Sequence, residues 1–154
     1  MKTIIKNKYL LFGCLLFLQC SQPPEPLYTK ETNYFENYLT TTFNTNIPSD
    51  KYIYFIFQTA NCGGCAGKLW EAVHYFSMPA TVIFTEAPSV EIPETITQLY
   101  DKQQKIDRLN LGAAGTMIIV TENNKIKQII PINVQNAFDI ETIINEHILQ
   151  NIPI

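Results

Sequence analysis

The sequence predicts an α/β domain built on a mixed sheet of about four strands flanked by helices on both faces. Three observations predict it. The run Tyr52-Ile53-Tyr54-Phe55-Ile56-Phe57 is aromatic or β-branched throughout, the habit of a strand buried on both sides in a parallel sheet. Strand and helix patterns then alternate over residues 52–109. Last, two apolar runs flank Glu122-Asn123-Asn124-Lys125, which reads as an antiparallel hairpin, and a helical pattern follows them.

Composition agrees. The chain has 154 residues, 46% hydrophobic and 16% charged, the balance of one globular domain plus a targeting segment. Residues 1–19 have secretory form: Lys2, Lys6 and Lys8 precede an apolar stretch from Tyr9 to Leu18, too short to span a bilayer. The stretch stops at Cys20, as in bacterial lipoprotein signals, where the cysteine is lipidated and becomes the first residue. Gln19 stands where a small residue is usual. Leu11-Phe12-Gly13-Cys14 fits better locally but leaves a shorter apolar region, so Cys20 is favoured as the lipidation site. Residues 20–30, with Pro23, Pro24 and Pro26, read as a lipid-anchored tether and residues 31–154 as the folded domain. Without residues 1–19, eight basic side chains face fourteen acidic ones, a formal charge of −6. That argues against nucleic acid as a partner and leaves membrane attachment to the lipid.

In chain order, residues 31–44 read as a helix with Tyr34, Phe35, Tyr38, Leu39 and Phe43 at helical spacing. Strand 52–57 leads through Gln58-Thr59-Ala60-Asn61, where Asn61 or Thr59 is placed to cap, into a helix with Cys65, Leu69, Val73 or Ala72, and Phe76 as its core stripe, ended by Met78-Pro79. Ala80–Thr85 is a second strand. Pro93 suits a first helical position, and residues 94–109 read as a helix with Ile96, Leu99, Tyr100, Ile106 and Leu109 inward. Residues 116–120 and 126–132 form the hairpin. Asn136 is placed to cap a final helix to Gln150, with Ile140, Ile143, Ile144 and Ile148 inward.

Chemistry concentrates at Cys62-Gly63-Gly64-Cys65. Two cysteines three positions apart at a helix start share a face, with Cα atoms about 5–6 Å apart, within disulfide range. Unpaired N–H groups and the positive dipole end favour thiolate there. If residues 1–19 are removed and Cys20 is lipidated, this is the domain's one pair. Its loop is so short that it stabilises the fold little, which weakens a purely structural purpose.

Strand, short loop, CxxC and helix, within the element order of residues 31–150, resemble the thioredoxin fold. The resemblance implies a thiol–disulfide exchange site: Cys62 as nucleophile, Cys65 as the resolving thiol, and Gly63 and Gly64 tuning the pair by leaving its top bare, or admitting another backbone closely. Three positions depart from the family's pattern. Asn61 replaces the tryptophan before the first cysteine, and Ile56 the buried acid that relays protons to the second. Gly115 replaces the cis-proline facing the CxxC. A cis bond before a non-proline residue costs about 2.5–4 kcal/mol, so a trans peptide is expected at Gly115.

Elsewhere the signals are weak. His74 and His147 read as surface histidines, Lys68 as a solvated lysine, and Trp70 as core. One CxxC with two scattered histidines does not make a zinc site, and Ala66 rules out haem attachment through CxxCH. Copper delivery by the thiolates with a histidine is a minor option. The expectation is no metal and no cofactor. Two functions are in view: a lipid-anchored, periplasm-facing thiol–disulfide oxidoreductase acting on exported proteins or a redox carrier, and a non-catalytic thioredoxin-like binding or accessory lipoprotein.

Overall fold

The strand Tyr52–Phe57, β1, lies at the centre of a five-stranded sheet. The structure is a computed structural model and describes residues 27–59 and 63–146. The expected signal peptide, Cys20, most of the tether, Asn61, Cys62 and His147 lie outside the described residues. The remaining elements are α1 (Thr29–Phe43), α2 (Gly63–Tyr75), β2 (Ala80–Phe84), β3 (Ile96–Tyr100), a 3-10 turn (Lys105–Arg108), β4 (Met117–Glu122), β5 (Lys125–Pro131) and α3 (Ile140–Ile144). The strand order is β3-β2-β1-β4-β5. β1 pairs parallel with β2, and β2 with β3; β1–β4 and β4–β5 are antiparallel. The chain is thus α/β with a mixed sheet.

Successive side chains of β1 point to opposite sides of the sheet and seed two cores. Ile53, Phe55 and Phe57 pack with Leu69, Val73 and Phe76 near α2 and with Ile140 and Ile144 of α3. Tyr54 and Ile56 pack with Phe35, Tyr38 and Leu39 of α1 and with Ile106 and Leu111. α1 follows the expected periodicity on its buried side, although Tyr34 is about half exposed. Asn44, at φ 53°, ends the helix, its N–H reaching the carbonyls of Leu39 and Thr40. The β4–β5 hairpin turns through Asn123 and Asn124, both at positive φ, as a two-residue turn requires.

Two expectations are corrected. Residues 94–109 are not one helix. Ile96–Tyr100 forms β3, which raises the sheet to five strands, and only Lys105–Arg108 is helical, as a single 3-10 turn. The apolar spacing suits both forms, and the β-branched Thr95-Ile96-Thr97 favours the extended one. Asp101 then breaks any continuation. Its buried carboxylate accepts the N–H of Ile106 at 2.8 Å and of Gln103 at 3.2 Å, and the Tyr38 hydroxyl at 3.0 Å. Gln104 is left-handed at φ 53°. Nor does Asn136 cap a helix running from residue 136. Its side chain accepts the Asn133 N–H at 2.8 Å and donates to the Pro131 carbonyl at 2.9 Å, closing a turn before α3. The helix begins at Ile140, and of the inward residues Ile140 and Ile144 are buried.

The parallel connection from β2 to β3 contains no helix. Val90 and Ile92 seal it against the first core, and His74 Nδ1 donates to the Glu91 carbonyl at 2.8 Å, tying it to α2.

Asp101→Ala strands the Tyr38 hydroxyl and the Ile106 N–H, and a loss of about 2–4 kcal/mol is expected in urea unfolding. Burial raises the Tyr38 hydroxyl above its ordinary range, as do the charge and hydrogen bond of Asp101; burial likewise raises Tyr54. Both phenols stay protonated in the folded state after the unfolded chain has begun to lose those protons. The stability they give is present below about pH 10 and falls as pH rises, by about 1.4 kcal/mol per pH unit for each tyrosine. Tyr54→Phe should make the alkaline fall in unfolding free energy shallower by that amount; an unchanged slope would refute the assignment.

Candidate functional site

The site lies at the end of β1 from which the chain runs towards α2. Cys65 is on the first turn of α2, 1% exposed, and is disulfide-bonded. It belongs to the first core together with Phe57, Leu69 and Trp70. Ile56, at the position where the family pattern has an acid, is fully buried in the second core. α2 amphipathicity explains the placement: Cys65, Leu69 and Val73 recur at helical spacing and face the sheet.

Gly63, Gly64 and Gly67 lie on the exposed side. A Cβ added at any of them meets no described atom within 4 Å, so close approach by another part of the described chain is not their purpose. They leave the start of the helix bare. Beside them runs a groove of about 230 Å³ between α2 and the segment after β2, lined by Gly63, Ala66, Gly67, Trp70, Thr85 and Glu86 among others. Trp70 forms its wall and is core at the same time, stacked on Phe57 with ring centroids 3.7 Å apart.

Gly115 reaches this end of the sheet through strand register. β1 and β4 pair Ile56 with Met117, so continuing the ladder sets Gly115 beside Gln58. The Gly115 N–H donates to Gln58 Oε1, and Gln58 Nε2 donates to the Ile106 carbonyl at 2.8 Å. Gln58 is 4% exposed, so both its amide atoms are used in the interior. Gly115 has φ 87°, a conformation that side chains disfavour, and no described peptide bond is cis. Thr59 continues the network. Its N–H meets Asp107 Oδ1 at 3.1 Å, and its hydroxyl lies 3.1 Å from that of Thr85.

Gln58 and Asp107 were not expected at the site from the sequence. A signal for Gln58 was present: it is the first polar residue after six apolar ones and sits where β1 ends. Its partners, 48 and 57 positions away, carry no local signature. The other candidates separate from the site. His74 is exposed and bound to Glu91, and Lys68 pairs with Glu71 at 2.7 Å. Among the described residues no three His, Cys, Asp or Glu side chains are grouped as metal ligands would be. No described helix is long and apolar enough to cross a membrane.

The chain matches no protein-family model, no curated protein and no solved structure.

Gln58→Leu removes both amide contacts and leaves the buried Gly115 N–H without its acceptor. A loss of about 2–4 kcal/mol is expected in chemical denaturation. Hydrogen exchange at Gly115 should accelerate relative to the centre of β4, and equal protection at both places would show that Gln58 does not hold the segment.

Proposed function

We propose that the chain is a thioredoxin-like thiol–disulfide oxidoreductase working through Cys62 and Cys65. The observation that carries the reading is the disulfide-bonded Cys65 on the first turn of a helix that follows the central strand. Further support comes from the glycines on the exposed side of the helix start, and from the two cores on β1, one packed with α2 and α3 and the other with α1. The bonded partner of Cys65 in this proposal is Cys62.

In the reducing direction the Cys62 thiolate attacks one sulfur of a substrate disulfide. The S–S bond breaks, and the other substrate sulfur leaves as a thiolate and takes a proton. The Cys65 thiolate then attacks Cys62 Sγ, closes the Cys62–Cys65 bond and releases the second substrate thiolate. The substrate gains two electrons and the pair loses them; the oxidising direction is the reverse. Substrates are exported proteins or a redox carrier. Cys20 carries the lipid, the tether spans to the domain, and the domain faces the periplasm.

A second reading has its own observation. Cys65 is 1% exposed within the first core, and burial among apolar side chains disfavours its thiolate. A thioredoxin-like domain with slow resolution serves instead as a binding or accessory lipoprotein.

Titration of the pair with glutathione, read by thiol alkylation and mass, tests the first reading. One reversible two-electron couple is expected between about −270 and −120 mV, the span from reductant to strong oxidant. Cys62→Ser should abolish turnover of a model disulfide, and retained exchange at the wild-type rate would sink the enzyme. A pair that cannot be cycled, with partner binding unaffected by Cys62→Ser, would establish the second reading.

A further inference from the structure

The two edges of the sheet are built differently. β5 is guarded: it carries Lys125, Lys127 and Pro131, pairs with β4 through a register shift at Val120/Thr121, and has its Ile126 N–H bound by the Thr32 hydroxyl at 3.0 Å. β3 has none of these devices. Ile96-Thr97-Gln98-Leu99-Tyr100 contains no charge and no proline, its register with β2 is unbroken, and no described strand lies beyond it.

The direction of its backbone groups follows from one hydrogen bond. The Asp101 N–H donates to the Phe84 carbonyl of β2 at 2.9 Å. Backbone groups alternate sides along a strand, so residues 97 and 99 also face β2, while residues 96, 98 and 100 face outward. Two outward groups are already used: the Ile96 N–H by the Pro93 carbonyl, and the Tyr100 carbonyl by the Lys102 N–H. The N–H and C=O of Gln98, the N–H of Tyr100 and the C=O of Ile96 remain directed at whatever adjoins the edge.

We propose that this edge pairs with the same edge of a second copy of the chain, antiparallel, about a two-fold axis at Gln98. In that register Gln98 exchanges both its backbone bonds with its counterpart, and each Tyr100 N–H meets the Ile96 carbonyl opposite. The outward groups left over at Ile96 and Tyr100 match each other in use, so four hydrogen bonds form and no free donor or acceptor is stranded. Charge selects the same arrangement. Glu91 and Glu94 precede the strand, Lys102 and Lys105 follow it, and Glu94 and Lys102 are exposed. Antiparallel pairing sets the acidic end of one copy against the basic end of the other, twice; parallel pairing sets like against like. The exposed Tyr100, stacked on Phe84 at 5.4 Å, is placed opposite Ile96 of the second copy and covers that end of the seam. The inference does not depend on the redox reading.

Sedimentation equilibrium of the full chain in density-matched detergent tests it. The expected result is a concentration-dependent monomer–dimer equilibrium. Gln98→Pro removes the donor on the axis without touching the β2 ladder, and should raise the dissociation constant at least about tenfold with the circular dichroism unchanged. Lys102→Glu should weaken the dimer, and adding Glu94→Lys should restore it, which keeps the test decisive if the proline variant does not fold. A monomer at every concentration, or a dimer indifferent to all three variants, overturns the proposal.

Discussion

The fold depends on β1 being apolar on both sides. A strand with one polar face has one core beneath it; β1 has two, because Ile53, Phe55 and Phe57 alternate with Tyr54 and Ile56 and no position is left for water. Each core recruits its own helices, so the element on one side cannot slide without exposing the other. A one-residue slip of β1 against its neighbours would exchange the two sets and set the tyrosines under α2. The register with β2 and β4 is therefore fixed by packing before any hydrogen bond is counted, and with it the point at which the chain leaves the sheet towards Cys62.

At that point the structure changes from apolar packing to polar ties. The crossover from β2 to β3 has no helix to cover it, and the segment from Asp101 to Leu111 is held by side-chain contacts to backbone: Asp101 to Ile106 and Gln103, Gln58 to Ile106, Asp107 to Thr59. These bonds substitute for the ladder that a helix would have supplied. They converge on the end of β1, where Gln58 also accepts the Gly115 N–H. The segments on either side of the candidate site, one before the CxxC and one before β4, are thus held by one buried amide.

Much of this was legible in the sequence wherever periodicity had one interpretation. The six-residue run of β1, the stripe Cys65–Leu69–Val73 and the Asn123-Asn124 hairpin each fit a single local structure. Residues 94–109 did not, because Ile96, Leu99 and Ile106 suit a helix as well as a strand followed by a turn. What decided the outcome was Asp101, whose partners include Tyr38, 63 positions away. The last helix was overextended for a related reason: Asn136 has the residue type of a cap but spends its side chain on Asn133 and Pro131. Local pattern identifies which residues are buried more readily than which backbone form buries them. The CxxC was legible as a motif, whereas the side-chain ties of Gln58 and Thr59 beside it join residues 26 to 57 positions apart.

The burial of Cys65 bears on how the proposed exchange would divide between its two steps. A thiolate inside an apolar core is disfavoured relative to the neutral thiol, while a disulfide sulfur carries no charge and fits such a core without loss. In the proposed exchange the first step, attack by Cys62 on a substrate, would not require Cys65 to ionise. The second step does, because Cys65 must be a thiolate to displace the substrate from Cys62. With Cys65 1% exposed in the first core, the resolving step of the proposed exchange would be the slower one. In the proposed exchange the mixed disulfide would then be the longer-lived species, and the oxidoreductase and binding readings would differ in how far the core around Cys65 opens to water.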